Sequence, residues 1–189
     1  MKTEFDPVTH TYKIDGRVVP SVTQVIRDVL PGWNADEWYL QRGTAIHACA
    51  ALVAQGKDFE CDPQIEGYVQ AVRNFLHDHK TEVVIVETQV FSAAYQYAGT
   101  LDLLCWMQGA LTIVDWKGSL TPSVEWQLAA YALAHPLGEK INAGFCVELH
   151  SDGTYKTASY ILKKAKNEWM ALLTAYRIRQ KCKIKERTE

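Results

Sequence analysis

Three charged side chains lie in stretches that otherwise resemble a protein interior. Asp102 lies in the apolar segment GTLDLLCWM, and Asp115 and Lys117 end the segment ALTIVDWK. A buried charge costs much free energy unless it is paired or holds a metal. Two carboxylates that lie close together repel each other and favour a shared divalent cation, and Mg²⁺ and Mn²⁺ prefer oxygen ligands. The residues therefore predict either a metal site with an ammonium group beside it or an ordinary salt bridge on a half-exposed sheet.

Strand geometry can bring these groups together. In an extended strand Asp115 and Lys117 point to one face, and Val114 and Trp116 point to the other. Asp102 lies in the preceding strand, so the two aspartates can meet across neighbouring strands. Lys117 would then orient or deprotonate a water, or stabilise charge that develops on a phosphate.

The hydrophobic periodicity predicts a mixed α/β fold, in which a central sheet of mixed strand direction is flanked by helices. The predicted elements, in chain order, are a hairpin with its turn at Asp15-Gly16, a short helix capped at Pro20-Ser21, helices over 35–55 and 62–80, strands over 82–91, 98–107 and 110–117, a helix over 121–135, a hairpin over 141–162 and a helix from about 164.

The composition is that of an ordinary soluble protein. The chain has 189 residues and a net charge of −2, which argues against a generic polyanion binder. It contains no apolar run long enough to cross a membrane and no signal-peptide core, so a cytoplasmic location is expected. We expect a single domain over 1–189, with a lead-in over 1–34, a core over 35–160 and a basic helix over 161–189.

The charge is distributed unevenly. Residues 161–189 carry nine Lys or Arg and three Glu, a local balance of +6, so the remaining chain carries −8. This basic segment is compatible with phosphate contacts at one edge of an acidic site. The alternative interpretation is a solvated helix end.

Four short motifs in order resemble the core of the PD-(D/E)XK nuclease superfamily, in its RecB-like exonuclease branch. They are RGTAIHACA with His47, Gly99-x-x-Asp102, Asp115-x-Lys117 and Gln127-x-x-x-Tyr131. The resemblance covers roughly residues 42–131, and THTYKIDGRVVPSVT also resembles the lead-in of stand-alone, phage-encoded members.

This resemblance implies a restriction-endonuclease-like core and a set of site residues. It implies that Asp102, Asp115 and Lys117 are catalytic, and that His47 and the backbone carbonyl of Trp116 join the two aspartates as metal ligands. It also implies that Gln127 holds the active-site strand or contacts substrate, and that Tyr131 touches the DNA backbone.

Other positions remain open at this stage. Glu87 would either lie at the wet edge of the sheet or face the metal. Further hypothetical backbone contacts are Arg42, Arg177, Arg179 and Lys181.

The implied function is a deoxyribonuclease that hydrolyses phosphodiester bonds with one or two Mg²⁺ or Mn²⁺ ions. We expect an exonuclease that acts on single-stranded or end-frayed DNA in phage or prophage recombination or DNA processing. A recombinase, a helicase or a single-strand-binding protein would be its partner, and no membrane is expected. A structure-specific or sequence-specific endonuclease of the same fold and a non-catalytic DNA-binding protein are the alternatives.

No iron–sulfur cluster is expected, because the five cysteines show no Cys-x-x-Cys spacing. This departs from the cluster-binding subfamilies of the same branch, which carry four cysteines for that purpose.

Overall fold

The computed structural model describes the backbone of residues 1–30 and 37–186 and the side chains of residues 1–30 and 42–183. The predicted boundary at residues 34–35 and the last three residues lie outside this part. Among the described residues, no helix is both long and apolar enough to span a membrane. The part of the chain that the structure describes contains five helices and eight strands, with these bounds: β1 Thr3–Asp6, β2 Thr11–Ile14, β3 Arg17–Val19, α1 Val22–Val29, α2 Glu37–Ala54, α3 Glu66–Asp78, β4 Glu82–Ser92, β5 Tyr97–Met107, β6 Ala110–Lys117, α4 Val124–Ala134, β7 Ala143–Leu149, β8 Tyr155–Ile161 and α5 Leu162–Glu186.

The central sheet has five strands in the order β4-β5-β6-β7-β8. The β4–β5, β5–β6 and β7–β8 pairs are antiparallel, whereas β6 and β7 run parallel because α4 connects them. This arrangement confirms the predicted mixed sheet, including the three-stranded meander and the hairpin across residues 151–153.

The core has one apolar layer on each face of the sheet. Val114 and Trp116 pack with residues of α2 and α3, and Leu111 and Ile113 pack with residues of α1, α4 and α5. The alternation along β6 therefore follows the predicted period of two. It places the side of β6 that carries Asp115 toward α4.

A second, three-stranded sheet, β1-β2-β3, precedes the core. Its residues Tyr12 and Ile14 are buried against Ala98 at the start of β5. The N–H of Ala98 also donates to the carbonyl of Pro20 at 3.1 Å. The predicted turn at Asp15-Gly16 joins β2 to β3, and this hairpin is thereby fixed to the strand that carries Asp102.

Helix starts show where local signals succeed and where they fail. The Ser21 side chain accepts from the N–H of Gln24 at 3.0 Å and caps α1, as predicted. The start predicted at Asp62 is wrong, because the Asp62 carboxylate accepts from the N–H of Gln64 in a turn and α3 begins at Glu66. Thr121 and Pro122 likewise precede α4, which starts at Val124.

Candidate active site

The two aspartates lie where β5 and β6 begin to separate. The register pairs Leu103 with Val114, so Asp102 and Asp115 follow as the next facing positions. Asp102 Oδ2 accepts from the backbone N–H of Trp116 at 2.8 Å, which fixes the carboxylate and ties it to β6. Both aspartates are buried, with exposed fractions of 7% and 1%.

His47 on α2 also contacts Asp102. Its Nδ1 lies 3.2 Å from Asp102 Oδ1. Burial alone would lower the pKa of His47, but the charge and hydrogen bond of Asp102 outweigh it and raise the pKa to about 9. Burial works to raise the pKa of Asp102, and the charge of His47 reverses that effect and holds it below its ordinary value.

Glu87 is the third member of this group. Val86 pairs with Leu103 and Thr88 with Leu101, so Glu87 lies opposite Asp102 in the register. One ligand atom each from His47, Glu87 and Asp102 lie within 4.8 Å of one another. Burial and the charge of Asp102 raise the pKa of Glu87 to about 7. Between the two positions left open, the structure thus places Glu87 at the cluster.

Asp115 is held in a separate set of contacts and is not part of that group of three. Its Oδ2 lies 2.7 Å from Lys117 Nζ, and its Oδ1 accepts from Gln127 Nε2 at 2.7 Å. Burial raises the pKa of Asp115 to about 6, although Lys117 opposes the shift. Burial lowers the pKa of Lys117, but Asp115 and Asp102 outweigh it, so the ammonium group stays charged.

Gln127 and Tyr131 lie one turn apart on α4. Gln127 Nε2 also donates to the Tyr131 hydroxyl at 3.0 Å, and both side chains are buried. Burial raises the pKa of Tyr131 well above its ordinary value, so its hydroxyl remains neutral. The two side chains form a buried support for Asp115. The role that the resemblance implied for Gln127, holding the active-site strand or contacting substrate, stays a prediction.

Gly99 explains why the Gly-x-x-Asp motif begins with glycine. A Cβ at residue 99 would lie 2.5 Å from Cε1 of Tyr131. The backbone of β5 therefore approaches the tyrosine ring more closely than any side chain permits.

A cleft of about 1140 Å³ joins these groups. His47, Glu87, Asp102, Asp115 and Lys117 all border it. Further residues of the lining include Arg42, Gln127 and Tyr131, and three aromatic residues, Phe5, His10 and Tyr12. His10 and Tyr12 belong to the lead-in segment THTYKIDGRVVPSVT, whereas Phe5 lies outside every quoted motif. The pairing of β1 and β2 places Phe5 opposite Tyr12, and none of the three was predicted to border a site.

The basic residues predicted on α5 do not border this cleft. The guanidinium of Arg177 donates to the carbonyl of Tyr95, and that of Arg179 donates to the carbonyl of Asp28. Lys181 is exposed on the same helix. Arg42 does border the cleft, where its guanidinium lies 5.2 Å from the centre of the Tyr68 ring.

The donor set suits a hard divalent cation. Two carboxylates and an imidazole converge within 4.8 Å, with Asp115 nearby. Carboxylate oxygens are the preferred ligands of Mg²⁺ and Mn²⁺, and imidazole is compatible with transition metals. The charged Lys117 borders the same cleft, so the arrangement can bind a cation and an anionic group side by side.

The comparisons with known proteins give one sequence relative and a shared fold. No family model matches the chain. The chain is 26% identical over 214 aligned residues to mitochondrial genome maintenance exonuclease 1 of Xenopus tropicalis, over 89% of this chain and 60% of that protein. The chain thus spans about three-fifths of the length of that relative.

Two solved structures of an alkaline exonuclease (LHK-Exo) from Laribacter hongkongensis are similar to the fold. The complex of that enzyme with dAMP gives a TM-score of 0.51, and the second structure gives 0.50. Each is 12% identical and covers 89% of this chain and 90% of that chain. The mixed sheet flanked by helices is therefore an architecture that this chain shares with an exonuclease.

Proposed function

We propose that this protein is a metal-dependent DNA exonuclease that hydrolyses phosphodiester bonds in single-stranded or end-frayed DNA. The observation that carries the proposal is the convergence of His47, Glu87 and Asp102 beside the Asp115–Lys117 pair in one cleft. The name of the sequence relative and the fold shared with an alkaline exonuclease support the same class of reaction.

His47, Glu87 and Asp102 would hold Mg²⁺ or Mn²⁺, and Asp115 and the carbonyl of Trp116 would complete the ligand set. A bound metal would activate water and neutralise charge on the phosphate. A bound cation would also favour the ionised form of Glu87, whose pKa burial and the charge of Asp102 raise to about 7.

Lys117 would bind and orient the phosphate. Its ammonium group keeps its proton beside Asp115, which favours stabilisation of negative charge over proton abstraction. Asp115 fixes the position of that ammonium group, and Gln127 fixes Asp115. The proposed setting is phage or prophage recombination or DNA processing in the host cytoplasm, with a recombinase, helicase or single-strand-binding protein as partner.

The test is digestion of end-labelled linear DNA by the purified protein with Mn²⁺ or Mg²⁺. We expect Asp115→Ala and Lys117→Ala to lower the rate by at least about a hundredfold, as expected when a group that stabilises transition-state charge is removed. Glu82→Gln, which changes an exposed residue of β4, is the matched control and should leave the rate unchanged. Wild-type activity equal to that of the two site variants would refute the enzymatic proposal.

Two further measurements separate the alternatives. An exonuclease leaves a covalently closed circle intact, whereas an endonuclease of the same fold cuts it. Excess EDTA should abolish digestion, and activity that survives chelation would contradict metal dependence. DNA binding without cleavage under any metal would instead indicate the non-catalytic alternative.

A further inference from the structure

The turn between β1 and β2 presents an aromatic side chain at the cleft. The carboxylate of Asp6 accepts from the N–H of Val8 at 2.9 Å and from the Thr9 hydroxyl at 2.7 Å. His10 follows with φ of 51°, a backbone conformation that is uncommon for residues other than Gly and in which Asn, Asp and His are enriched. The turn is thus held by its own side chains in a shape that leaves His10 exposed.

His10 is part of a packed aromatic group with Phe5 and Tyr12. The rings of Phe5 and Tyr12 stack with centroids 4.6 Å apart. The His10 ring meets both of them edge to face, at 5.3 Å from Phe5 and 5.4 Å from Tyr12. Tyr12 is buried, Phe5 is half-buried and His10 is exposed. The group therefore packs against the protein through Tyr12 and is open to solvent at His10.

This aromatic group is fixed relative to His47, Glu87 and Asp102, which together are called the acidic cluster. The Tyr12 hydroxyl lies 2.9 Å from Thr100 Oγ1, within hydrogen-bond distance. Thr100 and Asp102 are two residues apart on β5, which corresponds to roughly 7 Å along a strand. Phe5, His10 and Tyr12 border the same cleft as Glu87 and Asp102.

We propose that the exposed ring of His10, held by the edge-to-face contact with Phe5, forms a stacking platform for an unpaired nucleobase of the strand whose phosphate lies at the acidic cluster. The proposal rests on the proposed function, because it names the feature by which the same cleft selects unpaired DNA. Aromatic rings stack on bases of any sequence, since every base has a π face. A base inside a duplex already stacks on its neighbours, so the platform favours strands whose end bases are free.

The chemistry at the platform is binding, with no covalent step. The turn that carries His10 suits this role. Its hydrogen bonds to Asp6 order the backbone before a ligand binds, which reduces the entropy cost of binding. The tyrosine beneath is held by Thr100 and by an edge contact with Phe91 at 5.9 Å.

The test is the binding of internally labelled oligonucleotides in EDTA, followed by fluorescence anisotropy. One oligonucleotide carries all its bases, and a second of equal length has three abasic nucleotides at each end. We expect wild type to bind the complete strand about tenfold more tightly, within the range measured when one stacking contact is lost. His10→Asn tolerates the positive φ and removes the ring, and we expect it to bind both strands equally.

Phe5→Leu should also lose the discrimination, whereas Phe5→Trp should keep it. Tyr95→Asn, which removes another exposed aromatic ring in a turn away from the cleft, is the matched control and should behave as wild type. Equal binding of the complete and abasic strands by wild type would overturn the platform. So would a His10→Asn variant that still discriminates between the two strands.

This outcome is distinguishable from failure of the proposed function. A wild-type protein that discriminates between the two strands but never cleaves DNA would keep the platform and refute the nuclease. A protein that cleaves DNA but does not discriminate would keep the nuclease and refute the platform.

Discussion

Four side chains hold one another in line behind the acidic cluster. Lys117 contacts Asp115, Asp115 accepts from Gln127, and Gln127 donates to the hydroxyl of Tyr131. The tyrosine ring in turn lies against the backbone of Gly99. The position of the Lys117 ammonium group therefore depends on a glycine that makes no polar contact with it.

Gly99→Ala tests this dependence. The new Cβ would lie 2.5 Å from Tyr131 Cε1, so the ring must move and Gln127 with it. We expect a loss of stability of about 1–3 kcal/mol, as for other overpacked cores. A fall in kcat larger than the rise in KM should accompany it, because Asp115 loses its support. Urea unfolding and steady-state kinetics measure the two effects.

Gly43→Ala is the matched control for this variant. Gly43 is a helical glycine of α2, and a Cβ there meets no atom within 4 Å. Alanine should leave stability unchanged or raise it by up to about 1 kcal/mol, since alanine is the better helix former. If Gly99→Ala proved as stable and as active as Gly43→Ala, the proposed support of Asp115 by Tyr131 would be refuted.

Side-chain alternation explains why part of the candidate site was predictable and part was not. Asp115 and Lys117 lie on a regular strand, so a period of two placed them on one face. Glu87 lies on β4 beyond an irregularity between Val83 and Ile85, and its own φ is 44°. Simple alternation does not hold across such a strand, and only the tertiary pairing with β5 decides where the carboxylate points.

At the scale of elements, α5 shows how a basic sequence can serve the fold itself. Arg177 donates to a carbonyl in the β4–β5 turn, and Lys166 Nζ donates to the carbonyls of Gly138 and Ile141. Charge counting identified α5 as cationic but did not reveal that these cations have intramolecular acceptors. The acceptors are backbone carbonyls, which carry no signal in the sequence.

Asp28 near the end of α1 contacts the C-terminal part of α5. Its carboxylate accepts from Lys183 Nζ at 2.8 Å and from Gln180 Nε2 at 2.7 Å. We expect Asp28→Ala to cost about 1 kcal/mol, the usual upper value for a partly exposed ion pair. The midpoint of thermal unfolding should fall by about 2–4 °C for a chain of this length.

The stability that Asp28 contributes depends on pH in a direction that its pKa fixes. The hydrogen bond and charge of Lys183 lower the pKa of Asp28, so the contribution is present above the ordinary aspartate pKa and is lost in acid below it. The stability difference between wild type and Asp28→Ala should therefore vanish at low pH. Asp58→Ala, at an exposed position, should match wild type throughout. A difference that persists unchanged in acid would contradict the ion pair.

At the scale of the whole molecule, the cleft forms where distant segments meet. The small sheet β1-β2-β3 supplies one wall, α2 supplies His47, and β4, β5 and β6 supply the carboxylates. These segments span residues 5 to 117. Each motif predicted its own element. The position of Phe5, His10 and Tyr12 at the cleft follows instead from the docking of the small sheet on β5 through Tyr12 and Ala98.

This assembly predicts that a divalent metal stabilises the entire fold. Mn²⁺ at about a hundred times its Kd should add about 2.7 kcal/mol to the free energy of unfolding. For a chain of this length the midpoint of thermal unfolding should rise by roughly 5–10 °C. EDTA should reverse the rise. Glu87→Gln should reduce it, whereas Glu82→Gln on the same strand should not.

The size of the rise should depend on pH because Mn²⁺ competes with protons. Without metal, the pKa of Glu87 is raised to about 7 and that of His47 to about 9, so the folded state favours the protonated form of each side chain. The free energy of unfolding therefore falls as pH rises through those values. Metal binding must displace both protons. From pH 8 to pH 6 its affinity should fall about tenfold through Glu87 and about a further hundredfold through His47. Scanning calorimetry at fixed Mn²⁺ should show the larger rise at pH 8, and equal rises at both pH values would exclude these two residues as ligands.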